Sequence, residues 1–294
     1  MNIFLCEDTI EGIFTAVYDA WASRLGHANV KLQVRGETME LFASCHEVET
    51  DISKAEKVAR TIQREMGQKG WEQISRAALS TKQERADAIY RVLILALSAK
   101  KTTEERQVSQ SDKSRSSDRY GRDEMYRTYW TYWTYRKKSA DCLTQIQNPN
   151  VCLVMELARS VWNETHRYMG FVRFRELQGG ILFSEIEPEN HILPLLGAHF
   201  ADRFPREAFL IADRTHREVL VHKADDLWRI IKDVPFEAGG FGNRKISGRE
   251  AEFEHLWRGF CSSISIKERE NPQLQRQLWP YKFRKWMTEG QNDW

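Results

Sequence analysis

The spacing of apolar positions changes several times along the chain, and each change predicts an element. Residues 1–6, MNIFLC, read as a short strand, and Glu7, Asp8 and Thr9 follow as a turn with a candidate helix N-cap. From Ile10 the apolar residues Ile13, Phe14, Val17, Tyr18 and Trp21 recur at helical spacing. Leu41, Phe42 and Val48 suggest another short extended piece. Ala55, Val58, Ala59, Ile62 and Met66 predict a second helix over 53–68, ended by Gly67 and Gly70. Two further helices are expected over 71–80 and 84–99, the latter strongly apolar from Ala88 to Leu97. Residues 100–122 then carry a single aliphatic side chain, Val108, which predicts a linker or loop because so little apolar surface is available to offset ordering entropy.

Beyond this stretch the pattern alternates between periods. Leu153, Val154, Leu157, Val161 and Trp162 predict a helix over 151–168. Phe171–Leu177 and Ile181–Ile186 read as a hairpin around Gln178-Gly179-Gly180. Ile192, Leu195, Leu196 and Phe200 share one face of a helix over 191–204, and a second hairpin joins Phe209–Ala212 to Val219–His222. Residues 235–249 are glycine-rich, and Gly239-Gly240-Phe241-Gly242 reads as a turn, not a phosphate loop. A last helix over 250–266 carries Phe253, Leu256, Trp257 and Phe260. The expected class is α+β, with a helical N-terminal half and a C-terminal antiparallel sheet of hairpins packed with helices. Three regions are expected: 1–100, mostly helical; 101–140, a hydrophilic loop and an aromatic-basic run; and 141–294, an α+β domain.

Composition narrows the function classes. The 294 residues carry a formal net charge of +2, so the molecule as a whole does not attract nucleic acid, and any such binding must come from local basic patches. Five scattered cysteines without a CxxC signal neither a zinc ribbon nor an iron–sulfur cluster, which suits a reduced, cytoplasmic setting. The first residues lack the basic and apolar segments of a signal peptide, and no run is long and apolar enough for a membrane span. No P-loop, GxSxG elbow, GxGxxG fingerprint or Cys–His nucleophile signal is present. No cofactor is called for.

One stretch carries a family resemblance. HRYMGFVRFRELQGGILFSEIE, from His166 to Glu187, continues as PENHILPLLGAHFADRFP, and IKERENPQLQRQ follows from Ile266. These motifs resemble the DUF4130 family of DNA-metabolism proteins over about 150–290. The resemblance implies a DNA repair or modification pathway rather than a particular reaction. It also implies a radical-SAM protein as partner, since members are typically encoded beside one, and some are fused to a uracil-DNA glycosylase-like domain.

Candidate chemistry then falls into three groups. On a strand 171–175, Arg173 and Arg175 would share a face and could hold phosphates, unless Glu185 and Glu187 on the return strand pair with them. Arg167, Lys267, Arg269 and Arg276 add to a nucleic-acid surface, and the tail to Lys285 interleaves cations with Trp279, Tyr281, Phe283 and Trp286. That tail suits single-stranded nucleic acid, a protein interface, or packing back onto the core. Tyr129, Trp130, Tyr132 and Trp133 are candidates for partner contact.

For catalysis the candidates are His166, Glu187, His191, His199 and Asp213, with a His–carboxylate pair as the acid–base unit. On a helix, His191 and His199 would lie about 12 Å apart, too far to share a metal ion, and no metal site is expected. Asp213 also has the simpler role of bonding its own turn. The reading this supports first is an accessory DNA-metabolism factor that binds nucleic acid and works with the radical-SAM partner. An enzyme acting on damaged DNA bases or backbone, and a module that binds only protein, are the alternatives.

Overall fold

A computed structural model describes residues 1–36, 43–111, 141–236 and 246–288. The chain is α+β, and it divides into two compact units, Met1–Trp162 and Asn163–Trp294.

The first unit is built on a three-stranded parallel sheet. Strand β1 (Asn2–Cys6) lies between β2 (Val30–Val34) and β3 (Ser44–Glu47), with Asn2 opposite both Val30 and Ser44. Helix α1 (Ile10–Ala22) follows β1, and the Thr9 hydroxyl caps it by accepting from the Gly12 amide at 2.9 Å. Helix α2 (Ile52–Ala78) joins the two helices expected over 53–68 and 71–80. The join is a break at Gly67, whose φ of 68° lies in the region glycine favours. Helix α3 (Arg85–Ser111) continues past residue 99 into the expected loop, because KKTTEERQ is rich in helix formers and an existing helix propagates cheaply. Ile13, Phe14, Val17, Ile62, Ile74 and Ile89 are among the residues buried between the helices and the sheet. The aromatic run holding Tyr129, Trp130, Tyr132 and Trp133 lies outside the described residues, as do Leu41, Phe42 and Gly239–Gly242.

The unit boundary falls within helix α4 (Pro149–Phe171). The second unit has a five-stranded sheet in the order β4-β5-β6-β7-β8: Arg175–Glu176, Leu182–Ile186, Phe209–Asp213, Glu218–His222 and Arg229–Ile231. Its pairs are antiparallel except β5 with β6, which run parallel, Leu182 beside Phe209. The chain returns between them through helix α5 (Leu193–Arg203). A Cβ on Gly197 would lie 2.5 Å from Leu220 Cδ1 and 2.9 Å from the Trp228 ring, so α5 rests on β7 and Trp228 where no side chain intervenes.

Helix α6 (Gly248–Ile264) is capped by Ser247 and tied to β4, the Glu176 amide donating to Glu250 Oε2 at 3.2 Å. Two short helices, α7 (Pro272–Leu278) and α8 (Tyr281–Arg284), follow. Phe283 is buried against the rings of Tyr168 and Phe171 at 4.9 and 4.7 Å, which fastens the tail to this unit. Among the described residues no helix is long and apolar enough to cross a membrane.

Candidate functional site

The β6–β7 turn concentrates the titratable groups of the second unit. Asp213 ends β6 and Glu218 opens β7 directly opposite it. Four residues connect them, and Arg217, at φ 57°, makes the left-handed step that closes the turn. The Asp213 carboxylate is fully buried. Its Oδ1 accepts from the Thr215 and His216 amides at 2.9 and 3.1 Å, the turn-bonding role an aspartate has in this position. Its Oδ2 lies 2.6 Å from His216 Nδ1. A carboxylate oxygen accepts in such a contact, so the geometry assigns a proton to Nδ1 and makes Nε2 the ring nitrogen available to other chemistry.

A second imidazole faces the first. The rings of His191 and His216 have centroids 4.0 Å apart at an interplanar angle of 37°. His191 precedes α5 in the loop from Glu187 to Ile192, not on the expected helix, which begins at Leu193. Buried Glu164 on α4 holds that loop. Its Oε1 accepts from the Glu189 amide at 2.8 Å, and its Oε2 accepts from the Asn190 amide and side chain at 3.0 and 2.7 Å. Lys282 reaches the same group, 3.6 Å from Glu164 and 3.2 Å from Glu189.

Electrostatics sort the acids of this cluster. Burial pushes the Glu218 carboxyl above the usual range, and the negative charge of Asp213 adds to the rise; His191 and Lys232 pull it back. Glu218 therefore holds a proton more readily than an ordinary glutamate. Burial also raises Glu185, against the opposing pull of Arg214, which lies 3.3 Å from it. The Tyr168 phenol is raised chiefly by burial and further by Glu164, so it remains a neutral O–H.

The expected candidates separate. His191 and Asp213 come together, joined by His216 and Glu218. Those two were not among the candidates, although the spacing Asp213-x-x-His216 across a tight turn is legible in the sequence. Glu187 is bound by Lys285 at 2.8 Å. His166 is exposed on α4, and His199 packs its ring against Phe200 at 4.9 Å on α5. Among the described residues, no group of three or more His, Cys, Asp or Glu is placed to hold a metal ion.

The arginine pair is corrected. Helix α4 runs to Phe171 and β4 is only Arg175–Glu176, so Arg173 precedes the strand and the alternation expected over 171–175 does not apply to it. Arg173 donates to the carbonyls of Gly170 and Val172 at 2.9 and 3.2 Å. Arg175 pairs with Glu254 of α6 at 3.1 Å, and its charge also acts on Glu185, opposing the rise that burial gives that carboxyl. The tail from Trp279 is folded back. Arg284 lies over the Trp279 and Tyr281 rings at 4.6 and 4.5 Å, and Trp279 Nε1 donates to Met287 Sδ at 2.9 Å. Arg167, Arg269 and Arg276 are exposed, Arg276 bonding Pro272 O of its own helix, and Lys267 opens a short 3₁₀ turn ending at Arg269.

Comparison with known proteins adds one match. The model of a family described as a domain of unknown function, DUF4130, matches residues 122–289, more than half of the chain. No curated protein and no solved structure matches.

Proposed function

The chain belongs to the DUF4130 family, and on that premise we propose that it acts on nucleic acid, with His216 as general base and Asp213 behind it. The observation that carries this reading is the 2.6 Å contact between a fully buried carboxylate and His216 Nδ1. A carboxylate in that position fixes the tautomer and steadies the imidazolium that forms when Nε2 takes a proton. Nε2 would draw a proton from a water attacking a phosphodiester or a glycosidic carbon. Glu218, the neighbour whose carboxyl is pushed up, is the matching proton donor. Cations surround the cluster. Arg217 and Lys232 are exposed beside it, while Arg214 and Lys285 sit over the Trp286 ring at 5.7 and 4.6 Å. Phosphate oxygens are the natural counterpart of such a rim. Exposed Arg167, Arg269 and Arg276 would extend the contact along the strand.

The radical-SAM partner belongs to the same reading. It would supply radical chemistry, and this chain binding and acid–base work. Docking of that protein has its own support in α6, where Phe253, Leu256, Trp257 and Phe260 are all exposed.

The test pairs binding with turnover. Purified chain is titrated with single- and double-stranded DNA across a salt series, then incubated with uracil-containing, abasic and nicked strands. Binding should weaken with salt. His216→Ala should keep that binding and lower product formation by about 10²–10⁴-fold. Equal turnover in the variant would sink the general-base role, and no binding at low salt would sink the nucleic-acid reading.

A further inference from the structure

The unit Met1–Trp162 contains a pocket of about 370 Å³ between α1, α2 and α3, which the acid–base site does not use. Buried Val17, Val58, Ile62, Met66, Leu93 and Ala96 form much of its wall. That volume is within the range of small-molecule sites, which are mostly apolar with a few placed polar groups. Helical interiors ordinarily close such gaps, since apolar voids weaken packing. Trp21, Ala22 and Lys57 also line the pocket and are exposed, so they mark its mouth.

Two polar groups of the lining are already engaged. The Thr61 hydroxyl donates to the Lys57 carbonyl at 2.8 Å, within α2. The Glu65 carboxylate is paired with Arg64 Nε at 2.7 Å. Lys57 is different. Its neighbours one turn away on α2 are Ser53, Lys54, Arg60 and Thr61, none of them acidic. Nearby acids are taken, Asp19 by Lys54 at 2.7 Å and Glu56 by Arg60 at 2.6 Å. Glu65 is eight residues on, about 12 Å along the helix axis. Among the described residues Lys57 makes no ion pair, and its ammonium lies 5.5 Å from the ring centroid of Tyr18, another lining residue. The pocket thus joins an apolar interior to an unmatched cation at its mouth.

We propose that this pocket binds an amphipathic carboxylate, its alkyl body between the three helices and its head group on Lys57. Burial of the body supplies most of the affinity. The lysine supplies the preference. An exposed ion pair is worth little, so it ranks head groups by a few-fold and not by orders of magnitude. The Tyr18 ring beside the ammonium helps to keep Lys57 at the mouth. An amine head group would meet a like charge there, and an alcohol would make a hydrogen bond weaker than a carboxylate makes.

The experiment is calorimetric titration of the full chain at pH 7 and low salt with octanoate, n-octanol and n-octylamine, which share a body and differ in head group. Octanoate should bind saturably at one site, about twofold to fivefold tighter than octanol, with octylamine weakest. That margin should narrow as salt is raised. Lys57→Met should remove it while leaving octanol affinity near wild type, which also reports that the pocket is still folded, and Lys57→Arg should restore it. Ala22→Trp, at an exposed position on the rim, should weaken all three ligands. The proposal is overturned if octanoate does not bind saturably, if octanol or octylamine binds as tightly as octanoate, or if Lys57→Met keeps the octanoate margin.

Discussion

Asp213 offers the sharpest test of how the candidate site is built, because one buried carboxylate has two separable duties. Oδ1 holds the turn through the Thr215 and His216 amides at 2.9 and 3.1 Å, and Oδ2 holds the imidazole at 2.6 Å. Asp213→Ala removes all three bonds. Leaving a partner of a charged hydrogen bond unsatisfied costs about 1.5–3 kcal/mol, and water compensates in part where the donor is exposed, as at Thr215. The expected loss is therefore about 4 kcal/mol, within the range for breaking a buried pair. Asp213→Asn keeps an oxygen for the amides and places an NH₂ against Nδ1–H, so its loss should be about 1.5 kcal/mol. With a urea m-value of about 2 kcal/mol/M, the midpoint should fall by about 2 M for alanine and about 0.75 M for asparagine. The assay combines urea denaturation, hydrogen exchange at the Thr215 and His216 amides, and ¹⁵N chemical shifts of the histidine rings. In Asp213→Asn the His216 proton should move from Nδ1 to Nε2. Equal losses in the two variants would refute the division of labour, and an unchanged His216 tautomer in the asparagine variant would refute the assignment of the imidazole to Oδ2.

Two further outcomes follow from the same unit. Gly197→Ala places a Cβ 2.5 Å from Leu220 Cδ1 and 2.9 Å from the Trp228 ring, and should destabilise by about 1–3 kcal/mol in thermal denaturation; a variant as stable as wild type would show that α5 can lift off β7 without cost. Glu218 has a carboxyl raised above its ordinary value, chiefly by burial. The folded chain therefore holds that proton more tightly than the unfolded one, and folding is penalised at pH above the folded-state value. The penalty fades as pH falls below the ordinary glutamate range. Glu218→Gln should thus be more stable than wild type at pH 8 and gain nothing near pH 4; denaturation midpoints showing the reverse order would contradict the assignment.

The helices and hairpins were largely legible because their signals are local. The stripe from Ile13 to Trp21, the repeat from Leu153 to Trp162, and the turns at Gln178-Gly179-Gly180 and Asp213–Arg217 each declare an element within a few residues. What the sequence hid depends on distant partners. β2, VKLQV, breaks strand alternation with a buried Gln33 and is a strand because β1 pairs with it. β8 has two exposed residues of three and owes its existence to β7. The strand expected to carry both Arg173 and Arg175 begins only at Arg175 because α4 continues to Phe171, and a helix end is set by its neighbours as much as by propensity. The basic tail resembled a nucleic-acid ligand because cation–aromatic alternation serves folding equally well. Glu164, Glu187 and Glu189, far off in sequence, take its lysines. At the site, Asp213 and His191 were recognisable as chemistry-bearing residues, whereas their meeting depends on a loop held by Glu164.

The parallel join of β5 and β6 also bears on the order in which the second unit assembles. The pairs β4–β5 and β6–β7 each close a short stretch of chain, so their loop entropy is small and they can form early. Leu182 meets Phe209 only after the whole segment bearing α5 has been gathered in. That is the more distant contact, and distant contacts set the pace of folding. The two hairpins should therefore exist before they are neighbours, with docking of α5 at Gly197 as the slow event. Because His191 arrives on the segment that comes in last and Asp213 and His216 belong to a hairpin formed first, the two imidazoles would meet only at the end of folding.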